Sequence, residues 1–104
     1  RKALGHLEKA LAEDMQDADT LNYMGYSYRK LKQFDKALAA YRKALAIKPE
    51  HRGANEYIGE LYLETGQLEK AKERLKVLDS ACFFGCEEYD TLKKAIAAYE
   101  AKRK

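Results

Sequence analysis

Leu21-Asn22-Tyr23-Met24-Gly25-Tyr26-Ser27-Tyr28, followed by Ala37-Leu38-Ala39-Ala40-Tyr41 and closed by Pro49, is the stretch that decides the fold. Leu21, Met24 and Tyr28 stand at spacings of three and four, as do Ala37, Tyr41 and Ala44, so each half of the stretch carries one apolar stripe at the helical period. Two amphipathic helices joined by a short turn follow. Pro49 lacks a backbone N–H and stops the second helix. Gly25 falls inside the first, where glycine costs about 1 kcal/mol relative to alanine. Close approach of a neighbouring helix offsets that cost, and Ala37 offers the shallow surface it needs. Gly25 is therefore predicted to pack against its own second helix near Ala37 and Tyr41.

Working outward, the same unit recurs every 34 residues. Ala3, Ala37 and Ala71 align, as do Leu7, Tyr41 and Leu75, and Ala10, Ala44 and Leu78. Within the unit Met24, Ile58 and Leu92 align, with Gly25 and Gly59 beside them and Tyr28, Tyr62 and Ile96 further on. Gly59 is expected to repeat the close contact of Gly25, with Ala71 as the matching surface. Gly66 suits a left-handed cap at the end of a first helix, and Lys32 holds the equivalent place one unit earlier, where some strain is expected.

The chain divides on this period into residues 1–17, the second half of a truncated unit, then full units at 18–51 and 52–85, then a capping helix and basic tail at 86–104. The last helix is expected from about Glu87 to Ala101 with a stripe of Tyr89, Leu92, Ile96 and Tyr99. About six helices are predicted, an all-α helix-turn-helix solenoid. Leu4, Leu7 and Leu11 on the leading helix lack a partner within the chain, which makes them a candidate self-association face and a homo-oligomer an expected outcome. Opening on Arg1, the sequence reads as a piece of a longer protein.

Composition agrees with this class. Of 104 residues, 46% are apolar and 36% charged, with one Pro and no Trp, the balance of a helical protein rather than a disordered one. No run is long and apolar enough for a membrane helix, so no membrane insertion is expected. The net charge is +3, and Lys102, Arg103 and Lys104 equal that excess, leaving a nearly neutral body. Nucleic-acid binding needs a concentrated basic face, and none is read here. His6 and His51 have no Cys or second His at ligand spacing and read as surface histidines; no metal and no cofactor is expected. Ser27 and Ser80 lack a nucleophile setting, and no glycine loop cradles a phosphate, so an enzyme is not expected.

Leu21, Met24, Gly25, Tyr28, Ala37, Tyr41, Ala44 and Pro49 together resemble the tetratricopeptide repeat. Asn55, Ile58, Gly59, Tyr62, Ala71, Leu75 and Leu78 keep most of the pattern, with Asn55 at a large apolar place and Phe83 where proline would come. The resemblance implies a binding scaffold whose first helices line a concave groove. Carried over, the groove residues are Asp19, Asn22, Tyr26, Arg29 and Lys30, then Gly53, Glu56, Glu60, Leu63 and Glu64. The implied surface is two-toned, basic and aromatic in one unit and acidic in the next. The reading set beside it is that these charges only solvate the face or pair with one another. Acidic residues in the second unit argue against the chaperone-tail clamp of some relatives. The expected function is protein–protein interaction, with a peptide or partner helix as ligand. A structural role through open repeat ends is the alternative, and a thiol-redox or copper accessory role a weaker one.

Cys82 and Cys86 bracket Phe83-Phe84-Gly85 between two helices. Three readings stand: a disulfide in an oxidising compartment, closing a five-residue loop worth roughly 2 kcal/mol; two small buried hydrophobes in a reducing one; or a soft-metal pair without a third ligand. The segment Cys-Phe-Phe-Gly-Cys-Glu-Glu-Tyr with its closing helix also resembles the end of small bacterial, often exported, tetratricopeptide proteins, which implies a periplasmic or otherwise exported location.

Overall fold

The computed structural model of the chain describes residues 17–103, and among them five α-helices and no strand. The fold is all-α, built from helix pairs. The helices are α1 (Ala18–Lys30), α2 (Phe34–Ile47), α3 (Arg52–Glu64), α4 (Leu68–Ala81) and α5 (Glu87–Lys102). The leading helix expected around Leu4, Leu7 and Leu11 lies outside the described residues, as does His6. The chain divides into two compact units after His51.

In the first unit, Asp17 starts α1. Its Oδ1 accepts from the Thr20 backbone N–H at 2.8 Å, and Thr20 Oγ1 donates to Oδ2 at 3.0 Å. These bonds satisfy one orphan donor of the first turn. They favour the ionised carboxylate and hold its pKa below the ordinary value, the Thr20 backbone bond contributing most. Leu21, Met24, Gly25 and Tyr28 are buried from α1, and Ala37, Ala40, Tyr41 and Ala44 from α2. A Cβ on Gly25 would stand 2.5 and 2.6 Å from two ring carbons of Tyr41, so the predicted close approach is real and its partner is the Tyr41 ring. The helix ends as Lys32 turns left-handed at φ 62° and the Gln33 N–H reaches back to the Tyr28 carbonyl at 2.9 Å.

The second unit repeats the pattern with one exchange. Gly66 takes φ 75°, and the Gln67 N–H bonds the Tyr62 carbonyl at 2.7 Å, closing α3 as Lys32 closes α1 but without a Cβ in the left-handed region. Ala54, Ile58, Leu61 and Tyr62 are buried from α3 and Ala71 and Leu78 from α4, which pack together, while α5 packs on both and buries Leu92 and Ile96. Gly59 departs from expectation. The atoms that its Cβ would meet are the Leu92 methyls of α5, at 2.7 and 2.8 Å, not its own second helix. Leu75, the counterpart of Tyr41, is half-buried and lacks the reach of a tyrosine ring. Tyr89 and Tyr99, at the ends of the α5 stripe, are also only half-buried.

Candidate functional site

The polar face of α1 carries the residues singled out in the first unit. Tyr26 is half-buried, with the Arg29 guanidinium 5.7 Å and the Lys30 ammonium 5.3 Å from its ring centroid. Spacings of three and four along the helix bring both cations to one ring, where its quadrupole attracts them. One turn earlier, Asn22 has a side-chain oxygen that is buried without a hydrogen-bond partner in the structure. Such an acceptor carries a desolvation cost until a donor reaches it. At the helix start, Asp19 Oδ1 lies 2.6 Å from His51 Nε2. The His51 side chain is 13% exposed, so it is not the surface histidine that the sequence suggested. It is held by Asp19 and ties the loop after α2 to the start of α1.

In the second unit, Glu56, Glu60 and Glu64 follow one another at the spacing of one helical turn on α3. Glu56, Glu60 and Leu63 are half-buried, as is Gly53, and Glu64 is exposed. Asn55 stands at a place where the repeat pattern has a large apolar residue, and it is fully buried. Arg74 Nη1 on α4 donates to its Oδ1 at 3.1 Å, so a polar bridge between the two helices replaces an apolar contact there. Nearby, Lys72 Nζ sits 3.0 Å from Glu100 Oε2, and that hydrogen bond raises the lysine's pKa above its ordinary value. This pair joins α4 to α5.

After α4 the chain makes a short loop. Cys82 is buried and Cys86 half-buried; their sulfurs lie at bonding distance and their Cα atoms 5.6 Å apart, within the usual disulfide span. Between them Phe83 and Phe84 are 84% and 95% exposed, their rings edge to face with centroids 4.9 Å apart. Sequence reasoning assigned these two phenylalanines no role. The signal was present: adjacent phenylalanines share no face of a helix, and two cysteines four apart bracket the loop that displays them. Among the described residues no three His, Cys, Asp or Glu side chains form a group able to hold a metal, and no helix is long and apolar enough to cross a membrane.

Residues 18–51, the span of α1, its turn, α2 and the Pro49 loop, match the family model of the tetratricopeptide repeat. Over those residues the chain is similar to a tetratricopeptide repeat. A crystal structure of a tetratricopeptide repeat protein from Parabacteroides merdae ATCC 43184 matches 97% of this chain with a TM-score of 0.85, at 20% identity, which bears on the fold alone. The uncharacterized protein ycf37 of Guillardia theta is 38% identical over 56 residues, 54% of this chain. The chain spans 39% of the first of these relatives and 32% of the second. Tetratricopeptide repeats generally mediate protein–protein interaction and typically serve as scaffolds rather than catalysts. Within residues 18–51 the apolar markers make the α1–α2 core, and Asn22, Tyr26, Arg29 and Lys30 are not among the buried residues of α1.

Proposed function

We propose that this chain is a protein-interaction module that holds a peptide or partner helix against the polar face of α1. The observation that carries the reading is the cluster on α1. A half-buried aromatic ring lies beside two cations, one turn after a buried amide oxygen that has no donor in the structure. Tyr26 would supply the rigid apolar contact, Arg29 and Lys30 charged donors, and Asn22 an acceptor for a ligand N–H. The α1 cluster suits a ligand with an aromatic or apolar anchor beside acceptor groups. In the other unit, Glu56, Glu60 and Glu64 on α3, with Leu63 as an apolar contact, form a separate surface that would receive basic residues. Affinity capture from the source organism's extract, run in parallel with Tyr26→Ala, tests this. A partner retained by the native chain and lost with the variant supports the reading, and equal retention by both refutes it.

We further propose that Cys82 and Cys86 form a disulfide and that the chain matures in an oxidising compartment, periplasmic or otherwise exported, since two cysteines four apart on a short loop can pair where thiols are oxidised. Thiol titration of unfolded, unreduced protein made in such a compartment should find no free thiol. Two thiols per chain would refute the bridge.

A further inference from the structure

The pair Phe83 and Phe84 is apolar area with no covering element in its own unit, displayed on a short loop whose ends, Cys82 and Cys86, have Cα atoms 5.6 Å apart. Exposed phenylalanines at the tip of a short loop lose little freedom on docking, which suits them to insertion. The tip is also acidic: residues 79–90 contain Asp79, Glu87, Glu88 and Asp90 and no Lys or Arg. The complement is present in the first unit. Between α1 and α2 lies a hollow of about 200 Å³ with Leu21, Met24, Tyr28 and Ala40 in its lining and Lys36 and Lys43 at its edge, the Lys36 ammonium 5.6 Å from the Tyr28 ring centroid. Residues 18–51 around it carry seven Lys or Arg against three Asp or Glu. An apolar cavity of about 150 Å³ accepts benzene, so this hollow has room for one phenyl ring and not for two.

We infer that Phe84, the more exposed ring, inserts into the lysine-edged hollow of a second copy of this chain, with Phe83 across the edge and the acids of the tip facing Lys36 and Lys43. Tip and hollow are different patches, so the contact is heterologous and leaves each pair with one free tip and one free hollow. One inserted ring buries far less than the roughly 1,000 Å² of a stable complex, so association is weak and builds up only at high chain concentration. It is also weakened by salt, because the flanking charges are exposed. Tyr26 and Asn22 play no part, so this contact stands apart from the ligand reading above.

Sedimentation of the whole chain with two surface variants tests it. In Phe83→Ser/Phe84→Ser the tip is lost and the hollow kept, and in Lys36→Glu/Lys43→Glu the hollow's edge is reversed and the tip kept. All four positions are exposed, so both variants should fold with native helicity. The native chain should gain weight-average mass with concentration, and each variant alone should weaken that association at least tenfold. An equimolar mixture of the two should recover pairs that grow no further, since one copy supplies the tip and the other the hollow. A native chain that stays monomeric, a tip variant that associates as before, or a mixture that fails to pair overturns the inference. Tip-dependent sedimentation of the native chain with neutral phosphatidylcholine vesicles, without self-association, would assign the phenylalanines to a lipid surface and overturn it as well.

Discussion

Gly25 and Gly59 occupy the same place in two successive units and meet different neighbours. A Cβ on Gly25 collides with the Tyr41 ring, which is fully buried and has no room to turn; on Gly59 it meets the ends of the Leu92 side chain. Gly25→Ala gains about 1 kcal/mol of helix propensity, yet it should lose more than that to overpacking, which typically costs 1–3 kcal/mol. Gly59→Ala should cost less, because a leucine end can shift by a rotamer change and a ring wedged in the core cannot. Urea unfolding of the two variants decides the matter, and a Gly59→Ala loss equal to or larger than that of Gly25→Ala would refute the assignment. The close approach itself was legible, since a glycine in a strongly periodic helix demands a reason. The identity of its neighbour was legible only for Gly25. The 34-residue period pairs Tyr41 with Leu75 and gives no warning that α5 would take over where Leu75 falls short.

Helix ends in the described chain differ in how plainly the sequence announces them: α1 starts on a side-chain cap, whereas α2, α4 and α5 start without one. Gly66 announces its left-handed turn, whereas Lys32 adopts φ 62° only because the turn after α1 repeats the geometry that Gly66 suits; the period alone exposes it. The Asp17-x-x-Thr20 start reads as a cap in the structure, and its depressed carboxyl pKa gives it a pH signature. A folded-state pKa below the unfolded one means that the stabilisation is complete above the ordinary carboxylate range and is lost as pH falls through the folded value. Asp17→Ala should therefore be less stable than the native chain at neutral pH, and the gap should shrink on acidification through that range, as followed by thermal melts from pH 7 to pH 3. A gap that stays constant would mean that the cap acts through something other than its ionised carboxylate. Asn55 shows the opposite limit of sequence reading. A polar residue at an apolar place looks like a weak point of the repeat, and only the fold reveals Arg74 on α4 reaching it across the helix pair.

Charge is distributed by repeat along the chain, with residues 18–51 basic and the Glu56, Glu60 and Glu64 series acidic, so the net charge of +3 conceals stretches of opposite sign. The apolar period that specifies the fold says nothing of this, because solvent-facing positions are free of the packing constraint that makes core positions repeat. The residues expected to face a ligand therefore came from the family resemblance rather than from the pattern, and among those on α1 the structure shows Tyr26 as a large ring with flanking donors. Tyr26→Ala should weaken ligand binding by 2 kcal/mol or more, about thirtyfold, if the ring is a central anchor, whereas loss of one exposed charge typically costs less than about 1 kcal/mol. Glu60→Lys should act differently, slowing association and flattening its dependence on salt, because it reverses the field that draws in basic ligand residues more than it removes a contact. Calorimetry and stopped-flow binding of the captured partner at two salt concentrations separate these effects. Equal losses for both variants, uniform across salt, would refute the division of roles between an anchoring ring and steering acids.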